Sequence, residues 1–131
     1  MDFSELEKKV LDVFLTENDA RYPQLRNQIK AASVNSRKFT GVGFFTVIEL
    51  PPDVPKLPRD SYFFIGLVCA VYEGVVGNPA LGFALFVQDG RLKTLEGFTY
   101  ERGWSPDVDI NDFKLSYHRN TGRIIASDSA S

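Results

Sequence analysis

The chain has 131 residues and a mass of 14.7 kDa, with 44% hydrophobic and 24% charged residues, a net charge of −2 and a pI near 5.4. That composition excludes wholesale disorder and argues against a general binder of nucleic acid or of anionic membranes. One cysteine and one histidine exclude an internal disulfide framework and the usual zinc sites, while the length suits one domain with its own core.

The N-terminus carries acids at once, without the basic and apolar regions of a signal peptide. The longest apolar run, Tyr62 to Tyr72, is far shorter than the roughly 20 residues a membrane helix needs. A cytoplasmic protein with no membrane partner is expected. Asp2 and Glu5 have the spacing of a capping box, and Phe3, Leu6, Val10, Leu11, Val13, Phe14 and Leu15 follow at helical spacing. Pro23 suits the first turn of a second helix running to about Ser33, with Leu25, Ile29 and Ala32 inward. Residues 1–38 contain no glycine, and all ten glycines lie between Gly41 and Gly122.

From Arg37 the period becomes two. Val42 to Leu50 reads as a strand, and Pro51 to Pro58 as a stiff extended connection. Ser61 to Glu73 reads as a second strand, with Phe63, Ile65, Leu67, Cys69 and Val71 on one face and Tyr62, Phe64, Val68 and Ala70 on the other. Leu81 to Gln88 and Arg91 to Phe98 flank Asp89-Gly90, a strong hairpin signal predicting a two-residue type I′ turn. In an unbulged ladder that turn sets Gly82 opposite Gly97 and Glu96 opposite Phe83. A last strand, Phe113 to His118, turns through Asn120-Thr121-Gly122 into Arg123 to Ala126. The expectation is a single α+β domain over 1–131. Residues 1–33 are its helical part, residues 37–126 a mainly antiparallel sheet of about five strands, and residues 127–131 a frayed tail. Two short helices cover one face of such a sheet. The apolar residues on both faces of the second strand then leave a surplus face for a loop, the curl of the sheet or a partner.

No catalytic set stands out. Gly41-Val42-Gly43 lacks the context of a nucleotide-binding loop, and Gly82 and Gly97 are read as close-packing positions. His118 lies among Lys114, Ser116 and Arg119 on an expected edge strand, and Cys69 lies mid-strand among apolar neighbours, where burial keeps a thiol inert. Glu49, Glu73 and Glu96 end or interrupt apolar strands, which makes a half-buried acid conceivable without supplying its second carboxylate. Asp107, Asp109 and Asp112 lack the pattern of a calcium loop, so no metal or cofactor is expected. Arg21, Arg26, Lys30, Arg37 and Lys38 read as a solvated basic face. The segment Tyr100, Glu101, Arg102, Gly103, Trp104 joins residue types enriched at binding hot spots, so Tyr100, Glu101, Arg102 and Trp104 are the candidate protein-binding residues.

Thr40-Gly41-Val42-Gly43-Phe44-Phe45, then Gly82 to Gly90, then Leu95-Glu96-Gly97-Phe98-Thr99-Tyr100 with Trp104-Ser105-Pro106, resembles a family of small bacterial proteins over about residues 22–117. Glu101 to Pro106 departs from the Glu-Pro-Trp-Pro-like segment of that family, and the motifs carry no catalytic residues with them. Some bacterial proteins of this size and acidity are immunity proteins, and by that association the expectation is a non-enzymatic module binding a cognate toxin; the surplus sheet face equally suits its own copy as a homodimer. The alternative is a small enzyme or ligand-binding domain using Glu96, Tyr100 and Arg102 near the glycines.

Overall fold

The computed structural model describes residues 2–58, 61–74, 79–100 and 109–119. Its elements are helices α1 (Glu5–Asn18) and α2 (Gln24–Ala31), then strands β1 (Ser33–Phe39), β2 (Gly43–Glu49), β3 (Phe63–Tyr72), β4 (Leu81–Gln88), β5 (Arg91–Thr99) and β6 (Phe113–Arg119). A short 3-10 turn, Ile110–Asp112, leads into β6. The strands form one antiparallel six-stranded sheet in the order β1-β2-β5-β4-β3-β6. This is the expected α+β architecture with one strand more than read from the sequence. The expected continuation of the last strand through 123–126 and the tail 127–131 lie outside the described residues.

The additional strand is β1. Ser33-Val34-Asn35-Ser36-Arg37-Lys38-Phe39 is too polar to announce itself by alternation, yet it pairs with β2 along its length. The helical part therefore ends at Ala31, two residues before the predicted Ser33. The cap of α1 also differs from the expected Asp2 and Glu5. Ser4 is the N-cap and accepts from the Glu7 N–H at 3.1 Å, while the Ser4 N–H donates to the Glu7 carboxylate at 2.8 Å. The shift by two residues is decided by tertiary structure, because it puts Glu7 on the buried side of the helix.

The core lies between the helices and one sheet face. Val10, Leu11, Phe14 and Leu25 from the helices meet Phe44, Ile48, Phe63, Val68, Phe83, Leu85, Val87, Leu92 and Leu95 from the strands. Tyr117 fastens β6 to α1: the Asn18 amide donates to the Phe14 carbonyl at 2.8 Å and to the Tyr117 hydroxyl at 3.1 Å, which donates to the Ile65 carbonyl at 3.2 Å. Gly66 makes room for this contact, since a Cβ there would collide with the Tyr117 hydroxyl. Leu57 of the proline-rich connection is buried in the same core, held by its N–H to the Gly90 carbonyl at 2.8 Å.

Two bulges correct the predicted faces. The β3–β4 ladder shifts between Phe64 and Leu67, so the strict alternation expected of β3 breaks there. Phe63 and Ile65 face the helices, but beyond the bulge Val68 and Ala70 do so, and Leu67 and Cys69 turn to the opposite face with Phe64. The β4–β5 ladder shifts between Phe86 and Val87, which moves Gly82 opposite Phe98 and Glu96 opposite Ala84, not Gly97 and Phe83. The glycines consequently lie on opposite faces. An added Cβ on Gly97 would strike the Phe44 ring, and one on Gly82 would lie 2.6 Å from the Phe98 ring.

The Asp89-Gly90 turn forms as predicted, with φ of 52° and 80°. Gly90 is doubly constrained, because an added Cβ would also lie 2.7 Å from the Leu57 carbonyl oxygen. Gly90→Val is expected to cost on the order of 1–3 kcal/mol, read as a lowered urea midpoint. A variant that melts like the parent would contradict this turn geometry.

Candidate functional site

Among the described residues, α1, α2, the 3-10 turn and Leu57 pack on the core face. The opposite face is built by alternation. Phe45 and Val47 come from β2, Thr94, Glu96 and Phe98 from β5, Ala84 and Phe86 from β4, and Phe64, Leu67 and Cys69 from β3. The face is aromatic and partly wet: Phe45 is 39% exposed, Tyr62 58% and Tyr100 47%. Tyr62 stacks on Phe86 with centroids 5.6 Å apart, Phe64 meets Phe86 edge-on at 5.9 Å, and Phe98 meets Tyr100 edge-on at 5.4 Å. This is the surplus face expected from the sequence.

Tyr100, the first candidate binding residue, sits just past β5 and folds over this face. Its hydroxyl is 3.9 Å from the Cys69 sulfur, and burial, with a smaller contribution from Cys69, pushes its pKa up to about 12. Cys69 is itself buried, and that burial raises its thiol above the ordinary value although the Tyr100 hydroxyl pulls the other way. Native Cys69 is expected to label with a thiol reagent at least about tenfold more slowly than in urea; equal rates would contradict its place beneath Tyr100. The other candidates, Glu101, Arg102 and Trp104, lie outside the described residues.

Glu96 is the charged group at the centre of the face. It lies between Phe45 of β2 and Ala84 of β4, with Thr94 and Phe98 on either side along its own strand. It is half-buried, and among the described residues it has no hydrogen-bond or ion-pair partner. Burial raises its carboxyl above the ordinary value. Glu49 and Glu73, by contrast, are exposed at strand ends. His118 and Ser116, 3.3 Å apart, lie on edge strand β6, and Asp109 is occupied in capping the 3-10 turn through the Asn111 N–H at 3.0 Å.

The sequence reading missed the strongest polar cluster. Glu7, 1% exposed, receives Arg37 Nη2 at 2.6 Å and Nε at 3.0 Å, together with the Thr46 hydroxyl. Burial alone would raise this carboxyl, but the hydrogen bonds from Arg37, Thr46 and the Ser4 N–H, with the Arg37 charge, hold it below the ordinary value. Arg37 is thus not part of a solvated basic face, and Arg26 is paired with Asp19 at 2.9 Å. The cluster lies on the core side and binds helix to sheet. The one legible signal was Ser4-x-x-Glu7, a capping box competing with the other.

A surface hollow of about 520 Å³ beside α1 is lined by Lys8, Lys9, Asp12, Val13 and Leu115, and one of about 390 Å³ at the β4–β5 hairpin by residues including Gln88, Asp89, Arg91 and Lys93. Both are open, and neither includes Glu96, Tyr100 or Cys69. Among the described residues no group of three His, Cys, Asp or Glu side chains is placed to hold a metal ion, and no helix is long and apolar enough to cross a membrane. No family model, curated protein or solved structure compared with the chain matches it.

Proposed function

We propose that the chain is a non-enzymatic protein-binding module, that the sheet face opposite the helices is its contact surface, and that it serves as an immunity protein for a bacterial toxin. The observation that carries this reading is the placement of exposed Phe45, Tyr62 and Tyr100 on the face opposite the helix-covered core. Exposed aromatic groups sharing one face mark contact sites, and Tyr and Phe are enriched there. The size and acidity of the chain, which some bacterial immunity proteins share, support a toxin as the partner.

The enzymatic reading draws on one observation, the raised carboxyl of Glu96. Its register neighbours are Phe45, Ala84, Thr94 and Phe98, none of which is an acid, a base or an activated nucleophile. Binding is therefore the better use of this face.

Co-expression of the whole chain with the product of any secreted-toxin gene found adjacent to its own tests the proposal, and the absence of such a gene counts against it. Growth should be rescued by the parent and lost with Phe45→Thr, which removes the ring but keeps a strand-favouring side chain, at a temperature where the melt of the variant shows it folded. Equal rescue by both proteins would remove the face from the contact. Sedimentation at micromolar concentration distinguishes a foreign partner from a second copy.

A further inference from the structure

Six strands bring a mixed set of charges onto the sheet face opposite the helices. The register places Lys38 of β1, Phe45, Glu96, Ala84, Leu67 and His118 of β6 in one row across the sheet. Lys114 lies on the same face two residues before Ser116, Glu49 lies at the far end of β2, and Arg91 at the hairpin is turned into the carbonyls of Leu50, Pro51 and Pro52 at 3.2, 2.8 and 3.4 Å. Lys38 stands two strands from Glu96, about 10 Å at the backbone, with the Phe45 ring between them. Among the described residues the charge at the centre of the face is therefore that of Glu96, with Lys38 and Lys114 on the outer strands.

We propose that Glu96 is the anchor of the contact: an arginine side chain of the partner protein lies on this face with its guanidinium on the Glu96 carboxylate and its plane against the Phe45 and Phe98 rings. This rests on the binding reading above and names the chemistry the face selects. A half-buried carboxylate without a hydrogen-bond partner has lost water without gaining a donor, and covering the face with apolar surface alone would worsen that loss. A cation reverses it. Among cations, the guanidinium presents a planar fork to a carboxylate and stacks on aromatic faces, which a compact ammonium does not do. Lys38 and Lys114 on the outer strands favour acidic groups around the partner's arginine and oppose a uniformly basic surface.

The test uses the whole chain and two small probes, N-acetyl-arginine methylamide and N-acetyl-norleucine methylamide. The readout is the NMR shift of the Glu96 carboxyl carbon and of the Phe45 and Phe98 rings. The arginine probe is expected to give saturable shifts at all three groups, with the norleucine probe at least about tenfold weaker. Glu96→Gln should abolish the preference for arginine, and Phe45→Leu, which keeps apolar volume but removes the ring, should weaken the arginine response several-fold. An equal response to both probes, or an arginine preference that survives in Glu96→Gln, overturns the anchor while the binding face stands. Silence at all three groups with both probes also overturns it, and the binding reading is then decided by the rescue assay alone.

Discussion

Arg37→Met is expected to destabilise the fold by about 3–4 kcal/mol at neutral pH, because it leaves the buried Glu7 carboxylate without its cation. The two partners are 21% and 1% exposed, so solvent replaces little of what is removed. The folded pKa of Glu7 lies below its unfolded value. The contribution of the pair is therefore complete above the ordinary carboxylate range and is lost as the pH falls through the folded value. In the variant that carboxyl has every reason to be protonated, so its deficit should shrink on acidification from about pH 7 to about pH 3. Thermal melts of both proteins across that range check the expectation. A deficit independent of pH would mean that Arg37 acts through its packing and not its charge.

Gln28→Leu is expected to cost about 3 kcal/mol although it keeps the side-chain volume. Gln28 is fully buried, donates to the carbonyls of Pro55 and Gly90, each at 2.8 Å, and accepts from the Leu92 N–H at 2.9 Å. It thereby joins α2, the proline-rich connection and the β4–β5 hairpin. The β2–β5 ladder ends at Val47 and Thr94, so the Leu92 amide lies beyond it and is served by this side chain. Leucine would leave that amide and the Pro55 carbonyl without these partners, whereas Gly90 keeps the Leu57 N–H. Urea unfolding gives the magnitude, and hydrogen exchange at Leu92 should accelerate more than at Phe83 in the middle of β4. A loss below about 1 kcal/mol would mean that the freed groups find water.

What the sequence made legible follows from how local each cause is. Asp89-Gly90 forms its turn because positive φ is a property of the turn residues themselves, and the helical stripe of α1 is written in Val10, Leu11 and Phe14. Strand β1 was invisible because its inward residue Arg37 is polar and is satisfied by Glu7, thirty positions earlier in the chain. The bulges were invisible because an extra residue shows only against its partner strand, and each one exchanged the face of everything beyond it. Strict alternation therefore sets Glu96 opposite Phe83 and groups Leu67 and Cys69 with Phe63 and Ile65, whereas the bulges separate both. Tyr100 is legible by residue type and lies on the face opposite the helices, against Cys69 and Phe98. The nature of that face came from the surplus of apolar residues over helix.

The strand order has a consequence for how the chain finds its fold. β1–β2 is a hairpin, and β3, β4 and β5 run as a meander, so these pairings join neighbours in sequence. The β2–β5 and β3–β6 ladders join segments far apart, and the first of them joins the β1–β2 hairpin to the β3–β4–β5 meander. Loop closure across that distance comes before any of its contacts is gained, so the seam between β2 and β5 is where the folding barrier should concentrate. Gly43 stands at this seam, where a Cβ would run into the Gly97 carbonyl oxygen, and Gly97 lies under the Phe44 ring. Bare backbone at these two positions lets β2 and β5 close to hydrogen-bonding distance, so side chains added at Gly43 or Gly97 are expected to slow folding as well as to destabilise the fold.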